Sequence, residues 1–462
     1  MDLEPTLTSL DRAQAHARTW LGSLNSRPVA PAQGPAELMA AFDEPLPEGQ
    51  TPGADVVDLL ALRAEPGLTA FGSPRFYGFV IGGALPATVG ADLLTTVWDQ
   101  NSGLNAVTPA AAAVEVVAAR WIKEVLNLPG DATVGYVTGG MMASFTCLGA
   151  ARNEVLHRVG WDVEAHGLHG APRVRVIVPD ERHATIDLAL RYLGLGVDTA
   201  VLVPTDDQGR IDVAALRTVL AADPDAPTVV TLAAGNVNTG AFDDFTDAIP
   251  LAHEYGAWVH VDGAFGLWAA ATPSRVHLSI GMEQADSWST DAHKWLNVPY
   301  DCGLAIVANP RAHRAAFGVH AAYLLQTDAE PDPMELVPEF SRRARGFTVW
   351  AAMRALGRTG LAELGENLCA QAQRFADRFA DLPGADVLND VVLDQVLVRF
   401  ADDDAVTRAV VDRVVAGGVA YFSPTVFKGR TAARISVCNA GTTEDDVDAT
   451  VTAIAKVLAE LV

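Results

Sequence analysis

From about residue 110 the chain alternates between two hydrophobic periods. Apolar positions recur at helical spacing from Val114 to Leu126 and from Met141 to Leu156. Short β-branched runs then appear at Val174 to Val178, Ala200 to Val203, Val229 to Ala233, Trp258 to Val261 and Leu304 to Val307, separated by helical segments such as Ile186 to Leu193 and Val213 to Leu220. Strands that are apolar without alternation are buried on both faces, and strands separated by helices build a mainly parallel sheet, so the pattern predicts an α/β large domain. Ahead of it, six prolines between Pro28 and Pro52 and few periodic apolar positions predict an irregular arm joining an N-terminal helix to the body. After Pro338 an Arg-rich stretch leads into helices at Thr348 to Leu356 and Leu361 to Phe379, then strands at Gln395 to Phe400 and Ala433 to Val437. These predict a smaller α+β C-terminal domain. The expected division is an arm over 1–69, a large domain over 70–338 and a small domain over 339–462.

At 462 residues the chain exceeds what one hydrophobic core usually supports, which agrees with that division. No run approaches the roughly 18 uncharged apolar residues of a membrane span. The start, Met-Asp-Leu-Glu-Pro, is acidic where a secretory signal is basic and then apolar, so a soluble cytoplasmic protein is expected. A formal net charge of −24 argues against nucleic-acid and anionic-membrane partners, which reward clustered Lys and Arg. Cys147, Cys302, Cys369 and Cys438 show no C-x-x-C spacing, so neither a zinc site nor a disulfide framework is indicated. Of 33 basic residues only Lys123, Lys294, Lys428 and Lys456 are lysines, which makes the setting of each informative.

In open parallel sheets ligands bind beyond the carboxyl ends of the strands. Trp258-Val-His-Val-Asp262-Gly-Ala264 ends a strand on a carboxylate, and Ser287-Trp-Ser-Thr-Asp-Ala-His293-Lys294 ends another on a lysine. A lone Asp there is most often a turn or helix cap. A lysine is rarer, because burying an ammonium is costly. Imine formation supplies a reason, since an amine beside cationic or apolar neighbours has a lowered pKa and attacks an aldehyde. Pyridoxal 5′-phosphate (PLP) is such an aldehyde, and it needs a carboxylate to keep its ring nitrogen protonated, a task for Asp262. Thr138-Gly139-Gly140-Met141 opens a helix whose N-terminus suits an anion, a weak signal alone. His183, after the strand at Val174 to Val178, places an imidazole over the same crevice, where a structural hydrogen-bonding role is the plain alternative.

The ordered set Gly139-Gly140, His183, Ala234-Gly-Asn236-Val-Asn-Thr-Gly-Ala-Phe-Asp243, His260-Val-Asp262-Gly-Ala264 and His293-Lys294-Trp295 resembles the group II PLP-dependent amino-acid decarboxylases, over roughly residues 70 to 450. The resemblance implies a fold type I homodimer with active sites at the subunit interface, acting on an L-amino acid through a Schiff base on Lys294 and a quinonoid intermediate. It implies that Asp262 pairs the ring nitrogen, His183 stacks on the ring, Ala264 packs under the cofactor, and His293 helps hold phosphate or substrate. Arg434 matches an arginine that meets a substrate carboxylate, with a surface ion pair as its plain alternative. Phe79, Trp98, Asp99, Gln100 and Asn101 are candidate substrate-lining residues by the same resemblance. Met141-Met142 and Asn236-Val237 depart from the hydroxyl-rich phosphate loop and the threonine common in the family, so backbone amides and Asn236 are expected to compensate. Relatives carry a tyrosine proton donor on a closing loop. Here residues 328–338, with three prolines and four acids, contain none and read as an exposed loop, which leaves His320, or Tyr323 as a packing residue, to be weighed.

Transamination, aldol cleavage and oxidative deamination remain open as outcomes on the same cofactor. A nucleotide-binding oxidoreductase does not fit, because Gly194-Leu-Gly196 follows a helix and has Thr199 where a third glycine belongs. No G-x-S-x-G occurs, and His253-Glu254 lacks the second histidine of a metalloprotease. A catalytically dead relative is disfavoured by the presence of both Lys294 and Asp262.

Overall fold

The computed structural model describes residues 2–319 and 331–462. The chain opens with helices α1 (Glu4–Ser23), α2 (Pro35–Phe42) and α3 (Gly53–Ala64), none of which buries a single residue, and α1 packs against α3. The arm is therefore less irregular than its prolines suggest. Pro35 stands in the first turn of α2, where a missing N–H breaks no helical bond, and Glu37 caps the Gly34 amide at 2.9 Å. Helices α4 (Pro86–Trp98) and α5 (Pro109–Val125) lead into the large domain.

That domain runs β1 (Thr133–Val137), α6 (Gly140–Arg158), α7 (Val163–His166), β2 (Arg175–Pro179), α8 (Ala184–Tyr192), β3 (Val201–Val203), α9 (Val213–Ala221), β4 (Thr228–Ala233), α10 (Phe245–Glu254), β5 (Trp258–Asp262), β6 (Ser287–Asp291), β7 (Gly303–Val307) and α11 (Pro310–Phe317). The strands form one sheet in the order β1-β7-β6-β5-β4-β2-β3. Helical crossovers make β2 to β6 parallel, whereas β7 is antiparallel to both β6 and β1. The link from β6 to β7, residues 292–302, contains no helix to carry the chain back across the sheet, so β7 returns beside β6. The sheet is mixed but mainly parallel, as the alternation of apolar strands and helices predicts.

Residues Pro333–Leu336 form a buried turn of 3-10 helix, contrary to the exposed loop expected over 328–338. The acids there have partners: Arg314 donates to Glu335 at 2.9 Å, and Asp332 accepts from the Asn105 amide at 2.7 Å. His320, Tyr323 and residues 328–330 lie outside the described residues.

The two helices expected after residue 346 are both present: α12 (Gly346–Ala380) consists of two helical segments that meet at a kink at Gly357, whose φ of 59° and ψ of −170° leave helical geometry. It leads to the smaller C-terminal domain: β8 (Ala385–Val387), β9 (Gln395–Phe400), α13 (Asp404–Ala416), β10 (Ser423–Phe427), β11 (Arg430–Ser436) and α14 (Glu444–Leu461), with an antiparallel sheet in the order β10-β11-β9-β8. Among the described residues no helix is long and apolar enough to cross a membrane.

Candidate active site

Strands β1, β2, β4, β5 and β6 point the same way, and their registers bring their carboxyl ends to one edge. Ala233 lies opposite Asp262, Asp262 opposite Ser289, Asp291 opposite Gly303, and Gly303 opposite Val137. Each strand therefore delivers its next residues to the same place. A cavity there is lined by Gly140 and Met141, His183, Asn236, Asp262 and Ala264, and His293 with Lys294. Phe79 and Arg434 face it from outside the sheet, and Gly139 lies just behind, where an added Cβ would stand 3.2 Å from the His293 ring. Trp98 is not in this cavity. It ends α4 half exposed, its ring edge-on to Phe347 at 5.1 Å, and Asp99, Gln100 and Asn101 also lie away from the lining.

Lys294 sits on the turn after β6, its amine 3.0 Å from Asp291 Oδ2. The expectation of cationic or apolar neighbours is corrected here: the nearest charge is a buried carboxylate that ends β6 three residues earlier. Asp291 Oδ1 stands 3.4 Å from His293 Nε2 and has no hydrogen-bond partner among the described residues. Both carboxylate oxygens face the glycine pair at the N-terminus of α6, so close that a Cβ on Gly140 would lie 2.7 Å from Oδ2. Independently of this carboxylate, α6 starts at Gly140 with no side-chain cap, and the first amides of a helix have no intrahelical partner and favour an anion.

His293 is held on three sides. Nδ1 accepts from the Cys302 amide at 3.2 Å, Nε2 faces Asp291, and the ring stacks on Tyr300 with centroids 4.1 Å apart. An acceptor at Nδ1 places the ring proton on Nε2. Burial lowers the His293 pKa, with Asp291 opposing, so the ring is neutral near pH 7. His183 caps α8: its Nδ1 lies 2.7 Å from Thr185 Oγ1 and accepts from the Thr185 amide at 3.3 Å, which leaves Nε2 and the ring face toward the cavity. Desolvation lowers its pKa, countered by Asp262.

Asp262 Oδ1 accepts from the Ala264 amide at 3.2 Å and lies 3.5 Å from Ser289 Oγ. Behind it, buried His260 lies between Ser287 and Ser289, 3.0 Å and 3.5 Å away, and burial lowers its pKa to about 4. Asn236 does not stand in for a phosphate-binding hydroxyl with its amide. Its Oδ1 accepts from the Asn238 and Thr239 amides at 2.9 and 3.2 Å, and its Nδ2 donates to the Glu181 carbonyl at 3.3 Å. Arg434 is no surface ion pair either. Its guanidinium is largely enclosed, has no carboxylate partner among the described residues, reaches only the Val237 carbonyl at 3.5 Å and leaves Nε unpartnered. Desolvation lowers its pKa, and a buried cation without a counter-charge is a binding group in waiting.

Residues 35–401 match the family model described as the pyridoxal-dependent decarboxylase conserved domain. The chain belongs to this family. It is 29% identical to tryptophan decarboxylase 1 of Oryza sativa subsp. japonica, covering 90% of this chain and 86% of that one. It is 26% identical to the aromatic-L-amino-acid decarboxylase of Bacillus atrophaeus, covering 92% and 90%. The structure of Oryza sativa TDC with PLP and tryptamine superposes with a TM-score of 0.93 at 26% identity, covering 100% of this chain and 99% of that one. The fold is therefore the α/β fold of PLP decarboxylases, the cofactor is PLP, and the activity is amino-acid decarboxylation. The residues present fit the cofactor. A glycine pair whose Cβ positions are sterically blocked opens a helix for the phosphate, a lysine stands at the same edge, and a strand-end carboxylate lies across from it.

Sequence reasoning passed over Asp291, Phe265, Val80 and Tyr300. Asp291 was visible as the strand-terminal acid of the lysine motif, whereas Tyr300 shows only through its stack on His293.

Proposed function

We propose that Lys294 is the lysine that holds PLP and that the substrate is an aromatic L-amino acid. The observation that carries the first part is the side chain of Lys294, mostly buried on the edge shared by Asp262, the α6 glycine pair and His183. When bound, PLP supplies an electron sink that stabilises the negative charge left on Cα as carbon dioxide departs. Asp262 would hold the proton on the ring nitrogen, His183 would cover the ring, and the α6 amides would hold the phosphate, while neutral His293 would keep Asp291 and Tyr300 in place beside it. Arg434 would orient the substrate carboxylate with a planar fork of donors. The aromatic class is supported by Phe79, Val80 and Phe265 in the lining and by the printed activities of the relatives above.

The same reading makes the protein a homodimer. Helices α1 to α3 have no fully buried residue, Leu7, Leu21, Met39, Leu59, Leu60 and Leu62 are exposed on them, and Trp98 lies outside the cavity lining of its own chain. A second copy would cover the arm and bring Trp98 toward a site, and sedimentation at dilute concentration tests this by mass. Four buried, unpaired cysteines support a reducing compartment, the cytoplasm. The proposed division remains 1–69, 70–338 and 339–462. Borohydride reduction of the PLP-loaded protein followed by peptide mapping tests the lysine. Label on Lys294 is expected, and label on Lys123, Lys428 or Lys456 would overturn the assignment. Product analysis with aromatic amino acids should return carbon dioxide and the amine, with a ketoacid or aldehyde marking a different outcome.

A further inference from the structure

The turn that carries Lys294 is held from the small domain. Trp295 Nε1 donates to Asp394 Oδ2 at 2.8 Å, Asn297 Nδ2 donates to the Cys438 carbonyl at 3.0 Å, and the Ala440 amide donates to Asn297 Oδ1 at 3.0 Å. Asp394 immediately precedes β9 and Cys438 follows β11, so all three bonds join the lysine turn to the four-stranded sheet. The backbone of the same turn is tied on its other side to residues 82–88: the Leu85 amide donates to the Asn297 carbonyl at 2.9 Å.

Asp394 is the unusual member of this set. Its side chain is fully buried, and Oδ1 has no hydrogen-bond partner among the described residues. Among the described residues, the ionisable groups around it are the Cys438 thiol, which donates to Oδ2 at 3.2 Å, and Cys369 of α12, which interact in turn with Lys294 and Arg275. Burial pushes the Asp394 carboxyl up to about 6, against hydrogen bonds from Trp295 and Cys438 that favour its charge. Near pH 7 it is thus mostly ionised in surroundings that disfavour ionisation. An asparagine would accept the same indole N–H without a buried charge, so structure alone does not call for a carboxylate here. Perturbed acids next to a reactive group are where functional roles concentrate.

We propose that Asp394 is a positioning residue for Lys294: its carboxylate holds Trp295 and so fixes the direction in which the lysine leaves its turn, relative to the small-domain sheet that also carries Arg434. The lysine amine and the carboxylate-binding guanidinium are thereby set against one frame. The proposal rests on the reading of Lys294 as the PLP lysine.

The test follows the labelling of Lys294 over time when PLP is added to the cofactor-free full-length chain, with borohydride trapping and peptide mapping, alongside thermal unfolding. Trp295→Phe, Asp394→Ala and the double variant should each label Lys294 about ten to a hundred times more slowly than the wild type, as displacements near an ångström do. The double variant should be no slower than the worse single one. Asp394→Asn should label near the wild-type rate at pH 8, and an inflection near pH 6 expected in the absorbance of the bound cofactor of the wild type should be missing from this variant. If Asp394→Ala does not fold, Trp295→Phe and Asp394→Asn carry the comparison. Wild-type labelling rates in every variant, or losses that simply follow the melting temperature, would overturn the positioning role while leaving the Lys294 reading intact. Label on another lysine in the wild type would remove both.

Discussion

Acid should loosen this fold through His260, by an amount that follows from its surroundings. The ring is fully buried in β5, and burial lowers its pKa from about 6.5 to about 4. Between those values the unfolded chain binds a proton that the folded chain refuses, so the contribution of His260 to stability is complete above about pH 6.5 and is lost as pH falls toward 4. For a separation of this size the loss between pH 7 and pH 5 is about 2 kcal/mol, and it approaches about 3 kcal/mol by pH 4. The wild-type profile does not isolate this. His313 is also lowered to about 4, while Asp243 and Asp394 are raised to about 6 and gain stability as pH falls through that window. The measurement is therefore a difference. His260→Asn keeps a hydrogen-bonding side chain near Ser287 Oγ but cannot take the proton. Urea unfolding of the cofactor-free protein at pH 7 and pH 5 should show the variant losing about 2 kcal/mol less than the wild type across that interval, whatever the substitution costs at pH 7. Equal losses in both proteins would mean that His260 takes no part in the pH response and that the buried, neutral ring inferred here is wrong.

Asp262→Asn should keep PLP bound but lower kcat about a hundredfold or more, because an amide next to the ring nitrogen does not stabilise its proton; turnover near the wild-type value at equal PLP content would contradict the electron-sink role. Gly140→Ala places a methyl 2.7 Å from Asp291 Oδ2, which is itself 3.0 Å from the Lys294 amine. Overpacking of this kind costs about 1–3 kcal/mol, so PLP retention by equilibrium dialysis should weaken about ten- to a hundredfold, and unchanged retention would show that the phosphate does not sit on this helix start.

What could be read from the chain follows from range. Strands β2, β4 and β5 are buried on both faces, so their apolar runs are local signals, and the residues just after them fall on one edge by the geometry of a parallel sheet. His183, Asp262 and Lys294 were legible for that reason. Strand β6 is different: four of its five residues are polar, and it is found by its chemistry rather than its period. Ser287 and Ser289 face His260, and Asp291 faces the lysine, so the polarity that hides the strand is what builds the site. Pairings across long sequence separations leave no local trace. Nothing near residue 394 announces that its carboxylate meets an indole 99 positions earlier, and nothing near residue 434 announces that its guanidinium has no carboxylate partner among the described residues. The same limit explains Trp98, whose neighbourhood within one chain is the α12 surface. About half of this large indole is left in water at the end of α4, its ring edge-on to Phe347, an arrangement that no local pattern around residue 98 announces.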